Sequence, residues 1–516
     1  LIDDPVAGDG PSQAEGSETA SSVDGLAAER ERRLASVEAL RSAGIEPYPS
    51  GYDRSDQVSD LVERYAALEA GIETSDEVSI MGRIVLMRRQ GKLIFVTLRD
   101  GEATIQLFIS KQVTGDEAFD RIATLDLGDW VGARGVVMTT RRGELSVKAE
   151  QVDLLSKSLR PPPDKWHGLA DVDRRFRERE VDLIANEASR ITFRSRSKIV
   201  SAIRRSLEDE GFLEVETPIL QMLPGGGSAR PFMTHHNTLD VDLYLRIAPE
   251  LYLKRLIVGG LDRVFEIGRN FRNEGLSVRH NPEFTMLEVY QAGADYLTMA
   301  DLVERIVTAA AASIGVSGIV PAADPERPPV DLTTPWRRAS MVELVQEATG
   351  IDVSLDTPLA ELRAMCAEHG ATTEDYWGAG RLFAELYEAT VEHQLWNPTI
   401  VTDFPVEVSP LARRRHDDPR FTERFEVVVR GQEIANAFTE LNDPIDQRER
   451  FEAQAALKAL GDAEAPPVDE EYLRALEYGL PPTGGLGVGI DRLVMLLTGV
   501  SAIREVLLFP TMRPRA

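Results

Sequence analysis

Apolar and polar positions alternate along residues 77–155 in five short runs, at 78–86, 94–98, 104–109, 130–137 and 145–147, divided by turns rich in Gly, Asp and Arg. Period-two alternation with Val, Ile and Phe in the apolar places marks strands. Five short strands with a helix between the third and fourth predict a small Greek-key barrel of the OB type. Ahead of it, Leu34, Val37 and Leu40 recur at three-residue steps among charges, which predicts an amphipathic helix over 27–43 that Gly44 ends. A second short helix is expected over 58–68. Residues 1–28 hold six acids and no base amid Gly, Ser and Ala, too little apolar surface to offset the entropy of ordering, so a disordered acidic tail is expected there.

After the barrel, Pro161-Pro162-Pro163 and the arginine-rich stretch 174–179 fall in an expected linker, residues 156–184. Ile199, Ile203 and Leu207 then repeat at four-residue steps as far as Gly211, predicting a helix, and an extended run 212–218 is cut by Pro218. A mixed α and β region, 185–516, continues to the C-terminus with an Ala- and Glu-rich helical insertion expected at about 297–395.

Composition narrows the partners. The 516 residues carry 85 acids against 58 bases, a formal charge of −27, and 43% are hydrophobic. That length implies more than one domain. The negative balance excludes general phosphate-backbone binding, which scales with the Lys and Arg placed against phosphates. Contact with nucleic acid has to be local, and segment 81–100 offers it with five bases, one acid and Phe95. A ring there stacks a base while cations meet the backbone, although from composition alone Phe95 reads first as barrel core. Cys366 is the single cysteine, so neither an internal disulfide nor a Cys-rich zinc site is expected, and a reducing, cytoplasmic compartment is the simpler expectation. The uncharged stretch 306–323 is diluted by Gly315, Gly318, Pro321 and hydroxyl residues, so no membrane span is expected. The first residues are acidic where a secretory leader is basic. The sequence begins at Leu1, which fits either a fragment of something longer or an unusual start.

Three arrangements carry candidate chemistry. In a hairpin over 263–291, alternation puts Arg272 and Glu274 on one face of the first strand, and Phe284, Met286, Glu288 and Tyr290 on one face of the second. Arg beside Glu reads equally as a structural pair. Arg279 and His280 in the intervening loop add cations around an aromatic plate, which suits the phosphates and base of a nucleotide.

The second arrangement is Gly484-Gly485-Leu486-Gly487-Val488-Gly489, leading into an apolar helix with Arg492 in its first turn. Either backbone, helix dipole and guanidinium converge on an anion there, or the glycines serve only close packing. It is neither a P-loop nor a dinucleotide fingerprint, since no Gly-Lys-Ser/Thr follows and position 490 is Ile. The third spans 424–440. With Arg430-Gly431 as a two-residue turn, Glu426 lies diagonal to Glu433, and such carboxylates suit Mg2+ shared with substrate phosphates. Strict alternation sets Asn436, Phe438 and Glu440 on the face opposite Glu433, so one site for all of them requires a β-bulge.

These residues resemble the class II aminoacyl-tRNA synthetases. Thr217-Pro218 after a long helix, Phe271-Arg272-Asn273-Glu274, and Gly487-Val488-Gly489-Ile490-Asp491-Arg492 are similar to the family's three ordered motifs. The segments 246–254, 280–288 and 481–485 resemble its lysyl-tRNA synthetase branch in particular. The resemblance runs from about residue 30 to the end and implies an α+β fold. It places an N-terminal helical segment at 29–75, an OB-fold anticodon-binding barrel at 76–155, and a class II catalytic domain at 185–516 whose antiparallel β-sheet is flanked by helices. It implies ATP-dependent activation of L-lysine to lysyl-adenylate and transfer to tRNA(Lys), with Mg2+ as cofactor, by a homodimer built partly through the Pro218 region.

By the same resemblance, Arg272 would hold the α-phosphate of ATP and the reacting carboxylate. Glu274 and His280 would flank the nucleotide, Phe284 would stack on adenine, and Arg492 would meet the γ-phosphate. Glu426 and Glu433 match magnesium carboxylates. Gly226 and Glu250 match residues holding the lysine α-amino group, while Glu288, Tyr290 and Glu440 match those around its side chain, with Asn436 and Phe438 completing the pocket. Phe95 and Gln106 match anticodon-reading positions, which displaces the reading of Phe95 as core. Glu180 stands where the family tends to have tyrosine, and Gly227 where alanine is common.

Aspartyl and asparaginyl enzymes resemble this chain in fold and domain order, so the amino acid is argued from charge. An aspartate site needs a buried cation where Glu288 and Glu440 stand, and an ε-ammonium relieves two carboxylates otherwise buried without a partner. Two alternatives remain: the C-terminal synthetase part of a bifunctional lysyl-tRNA synthetase/lysylphosphatidylglycerol synthase, and an inactive RNA-binding paralogue. Joint retention of Arg272, Glu426, Glu433 and Arg492 counts against the second.

Overall fold

The structure, a computed structural model, describes residues 15–163, 169–227, 229–321, 326–459 and 466–515. The chain divides into two compact units, Leu1–Arg190 and Ile191–Ala516.

In the first unit five strands close a barrel: β1 (Glu73–Gln90), β2 (Leu93–Asp100), β3 (Ala103–Ser110), β4 (Trp130–Thr139) and β5 (Leu145–Ser156), in the order β1-β2-β3-β5-β4. The helices Lys111–Thr114 and Asp116–Ile122 lie between β3 and β4. The alternation works as the pattern requires. Ile94, Val96 and Leu98 are buried in the barrel with Leu107 and Ile109, which leaves Phe95 on the outer face. The reading of Phe95 as core is therefore wrong.

Two expectations in this unit are corrected. The N-terminal helix runs Glu15–Ser42, so it begins inside the stretch 1–28 expected to be a disordered tail; the first 14 residues of that stretch lie outside the described residues. The linker also contains two helices, Val172–Arg177 and Arg179–Ala185. One of its arginines is internal: Arg179 is buried and donates to buried Asp182 at 2.6 Å, which a count of arginines does not reveal.

The second unit is built on an eight-stranded sheet. In chain order its strands are β6 (Leu213–Glu214), β7 (Arg263–Phe271), β8 (Glu283–Ala292), β9 (Arg337–Ser340), β10 (Thr399–Thr402), β11 (Arg424–Val429), β12 (Gln432–Thr439) and β13 (Thr483–Gly489). They lie in the order β9-β10-β11-β12-β13-β8-β7-β6, antiparallel except for the outer pairs β9/β10 and β7/β6. One face buries Leu287, Val289, Ala435, Ala437, Leu486 and Val488 against the helices Glu187–Asp209, Tyr296–Ala312 and Ile490–Thr498. The opposite face of β8, β12 and β13 carries the polar residues.

Residues 297–395 are not a purely helical insertion. Short strands interrupt the helices, β9 joins the main sheet, and Leu302, Val303, Ile306 and Val307 pack in the sheet's own core. Among the described residues no helix is long and apolar enough to cross a membrane.

Candidate active site

The glycine run that leads into the helix Ile490–Thr498 is itself the central strand β13. Register shows why it is made of glycine. Glu288 of β8 and Asn436 of β12 stand on either side of Gly487, and Tyr290 and Phe438 stand on either side of Gly485. With no side chains at these positions, β13 is the floor of a trough walled by its neighbours. A Cβ on Gly485 would come within 1.9 Å of Glu440 Oε1 and 2.8 Å of Tyr290 Cε1. Only glycine leaves that space to the carboxylate.

The parity conflict in 424–440 is resolved by a bulge. Arg430 and Gly431 turn with φ of 55° and 66°, Val428 faces Glu433, but Val427 faces Ala435 and Glu426 faces Asn436. Ile434 is the extra residue. Glu433, Asn436, Phe438 and Glu440 consequently line one cleft, while Ala435 and Ala437 enter the core.

That cleft, of about 250 Å3, also takes Gly226, Glu250, Arg272, Glu274, His280, Phe284, Glu288, Tyr290 and Arg492. Glu426 is not among its lining residues. Phe95 and Gln106 belong to the other unit. There Phe95 forms an edge-on pair with Phe108, centroids 5.6 Å apart, in a cross-strand row with Arg88 and Lys148. Gln106 is buried and donates to Ser146 Oγ at 3.0 Å.

One expected placement differs. β7 ends at Phe271, so Arg272 and Glu274 lie on the following loop rather than on a strand face. The loop is nonetheless tied, since Arg272 N donates to Pro282 O and Asn273 N to Arg230 O. The Arg272 guanidinium stands 5.1 Å from the Phe284 ring centroid, and its Nε is buried without a hydrogen-bond partner. A guanidinium whose buried Nε finds no partner among the described residues, beside an open cleft, is suited to an anion. Burial, then Arg492 and Arg272 beside it, push His280 below the usual histidine range. The ring stays neutral where cations converge.

Arg492, in the first turn of the helix Ile490–Thr498, donates to Glu433 O at 2.7 Å and to Glu433 Oε2 at 3.2 Å. That helix is pinned by Asp491, which accepts from Thr285 N at 2.7 Å. Glu426 accepts from Arg424 at 2.6 Å, yet burial and then Glu433 push its carboxyl up to about 8. Burial and the neighbouring Glu433 thus outweigh the Arg424 contact at Glu426. Among the described residues no cluster of three or more His, Cys, Asp or Glu is arranged to hold a metal. Two carboxylates supply only part of a coordination shell, so a hard cation held by them would take its remaining oxygens from substrate and water.

At the amino-acid end, Tyr290 donates to Glu288 Oε2 at 3.0 Å, and burial followed by Glu250 pushes Glu288 up to about 8. Sequence reasoning missed Lys254, buried and ion-paired with both Glu250 and Glu440, so Glu440 is not without a cation. The available signal was Glu250 and Lys254 four apart on one helix, Glu250–Val258. Arg424 was missed too; it donates to Asn436 Oδ1 at 3.0 Å as well as to Glu426, and so orients both.

Residues 171–513 match the family described as tRNA synthetases class II (D, K and N), and residues 78–155 match the OB-fold nucleic acid binding domain. Similar curated proteins include the lysine–tRNA ligase of Synechococcus sp. (strain CC9311), 52% identical over 486 residues, or 94% of this chain and 99% of the relative. Those of Oceanobacillus iheyensis and Bacillus subtilis (strain 168) are each 50% identical, over 92% of this chain and 96% and 95% of their own lengths.

Proposed function

The chain belongs to the class II tRNA synthetases of the D, K and N group, and we propose that it is a lysine–tRNA ligase acting on L-lysine, ATP and tRNA(Lys). Neither the inactive paralogue nor the bifunctional synthase draws support from relatives named as ligases. The observation that carries lysine over aspartate is the charge of the cleft, where Glu250, Glu288 and Glu440 share one cavity with the nucleotide-facing Arg272 and Arg492. An anionic side chain entering among those carboxylates would meet repulsion and lose its hydration.

The lysine carboxylate attacks the α-phosphorus in line, pyrophosphate leaves, and the acyl group passes to a terminal tRNA hydroxyl. Arg272 bridges the attacking carboxylate and the α-phosphate, so it brings the reactants together and offsets charge that grows in the transition state. Phe284 offers its ring to adenine, and Arg492 meets the terminal phosphate. Glu426 and Glu433 would hold Mg2+, which supplies charge neutralisation on the phosphates. Phe95 and Gln106 read the anticodon.

A homodimer is part of the proposal. Leu213, Ile219, Leu220, Met222, Leu223 and Met233 are exposed around Pro218, an apolar surface that a second copy would cover. A cytoplasmic location follows from the single, buried Cys366. Lysine-dependent ATP–pyrophosphate exchange, run across the twenty amino acids and a Mg2+ titration and followed by charging of tRNA, tests the function. Exchange with aspartate or asparagine instead would reject it.

A further inference from the structure

Lys254 is fully buried one turn after Glu250. Its Nζ donates to Glu250 Oε1 at 2.7 Å and is ion-paired with Glu440, while the rings of Phe438 and Tyr472 stand 5.3 and 6.0 Å from it. One ammonium therefore sits between the carboxylate assigned to the substrate's α-amino group and a carboxylate assigned to its side chain. A lysine shared by two acids would be an ordinary structural pair if the count ended there. It does not, because Glu288 occupies the same cavity and its hydrogen-bond partner is the uncharged Tyr290 hydroxyl. Arg246 and Glu266 also act on Glu288 but are paired with each other, so three carboxylates face one resident ammonium. Glu250 spends only Oε1 on Lys254 and Glu288 only Oε2 on Tyr290, and among the described residues no donor meets the other oxygen of either.

Resting on the reading of this cleft as a lysine site, we propose that Lys254 is its resident counter-ion and a specificity-determining residue. It holds Glu250 and Glu440 from between and leaves an excess of two negative charges, which a substrate bearing two ammonium groups neutralises and one bearing a single ammonium does not. Substrate α-ammonium, Glu250, Lys254, Glu440 and substrate ε-ammonium then alternate in sign. Glu250 and Glu440 each bridge two cations, Glu288 supplies the third negative charge, and no buried charge is left over. Without ligand the excess is carried by protons, which the incoming ammonium groups displace.

The test counts those protons. Full-length protein is titrated calorimetrically with L-lysine at pH 7 in two buffers of different ionisation enthalpy. Lys254→Met is expected to release about one proton more per lysine bound than the wild type, since a proton replaces the missing ammonium, and to bind at least about tenfold more weakly. Lys254→Arg keeps the charge and should keep the wild-type count; a changed count would overturn the inference. Glu440→Gln removes a carboxylate and should release about one proton fewer. Titration with ATP reports whether each variant is folded, and where Lys254→Met fails that check the Glu440→Gln count decides. Equal counts in the wild type and the deciding variant would overturn the inference and leave Lys254 a structural pair. Failure of the wild type to bind lysine would instead overturn the substrate reading, and the inference with it.

Discussion

Tyr290 donates its hydroxyl hydrogen to Glu288 Oε2 at 3.0 Å, two residues along β8 and on the same face of the strand. The bond does not offset burial and the nearby Glu250, which push the Glu288 carboxyl up to about 8. Below that pH it carries a proton that an incoming ammonium must displace; above it, the carboxylate is already charged. Glu288 should therefore make lysine bind more tightly as pH rises, contributing a fall in Kd of up to about tenfold per unit between pH 6 and 8 that levels above. Glu288→Gln should bind weakly and lose that contribution to the slope. A flat Kd in the wild type over that window would reject the assignment.

Among the described residues nothing accepts from the buried Nε of Arg272, the residue proposed to meet the reacting anions. Arg272→Ala should lower lysine-dependent ATP–pyrophosphate exchange by roughly 10²–10³-fold while leaving thermal unfolding within a few degrees of the wild type. Near-normal exchange would remove Arg272 from the chemistry.

Gly485 leaves room that Glu440 and Tyr290 fill. Gly485→Ala should weaken lysine binding by about 1–3 kcal/mol, the usual effect of overpacking, and disturb ATP binding less. Equal losses for both ligands, read by calorimetry, would show the glycine serving the sheet as a whole.

Phe95 lies on the outer face of the barrel in a row with Arg88, Phe108 and Lys148. Phe95→Ala should raise the KM for tRNA in aminoacylation by the loss of a stacked base, about 1–3 kcal/mol. A parallel fall in tRNA-independent pyrophosphate exchange would point to damage to the fold instead.

How far the sequence could be read depended on where each partner lies. The barrel strands announce themselves because their core faces are filled by neighbours a few residues away in an alternating code, as at Ile94, Val96 and Leu98. The hidden parts depend on distant pairings. β13 looks like a loop because glycine has poor strand propensity, and only Glu288 and Asn436 on either side explain it. Arg179 looks like a solvated linker charge until Asp182 is found beneath it, and Lys254 has no visible role until Glu440 is folded against it. Periodicity reports burial but not the partners of buried charge.

The single additional residue at Ile434 sets the phase of everything after it in β12. Loss of that one codon in frame would keep the strand's length almost intact yet exchange its two sides, turning the amide, ring and acid of positions 436, 438 and 440 toward the greasy interior and two alanines toward the substrate. A cell carrying such a deletion would make a chain of nearly the right composition and no useful catalyst.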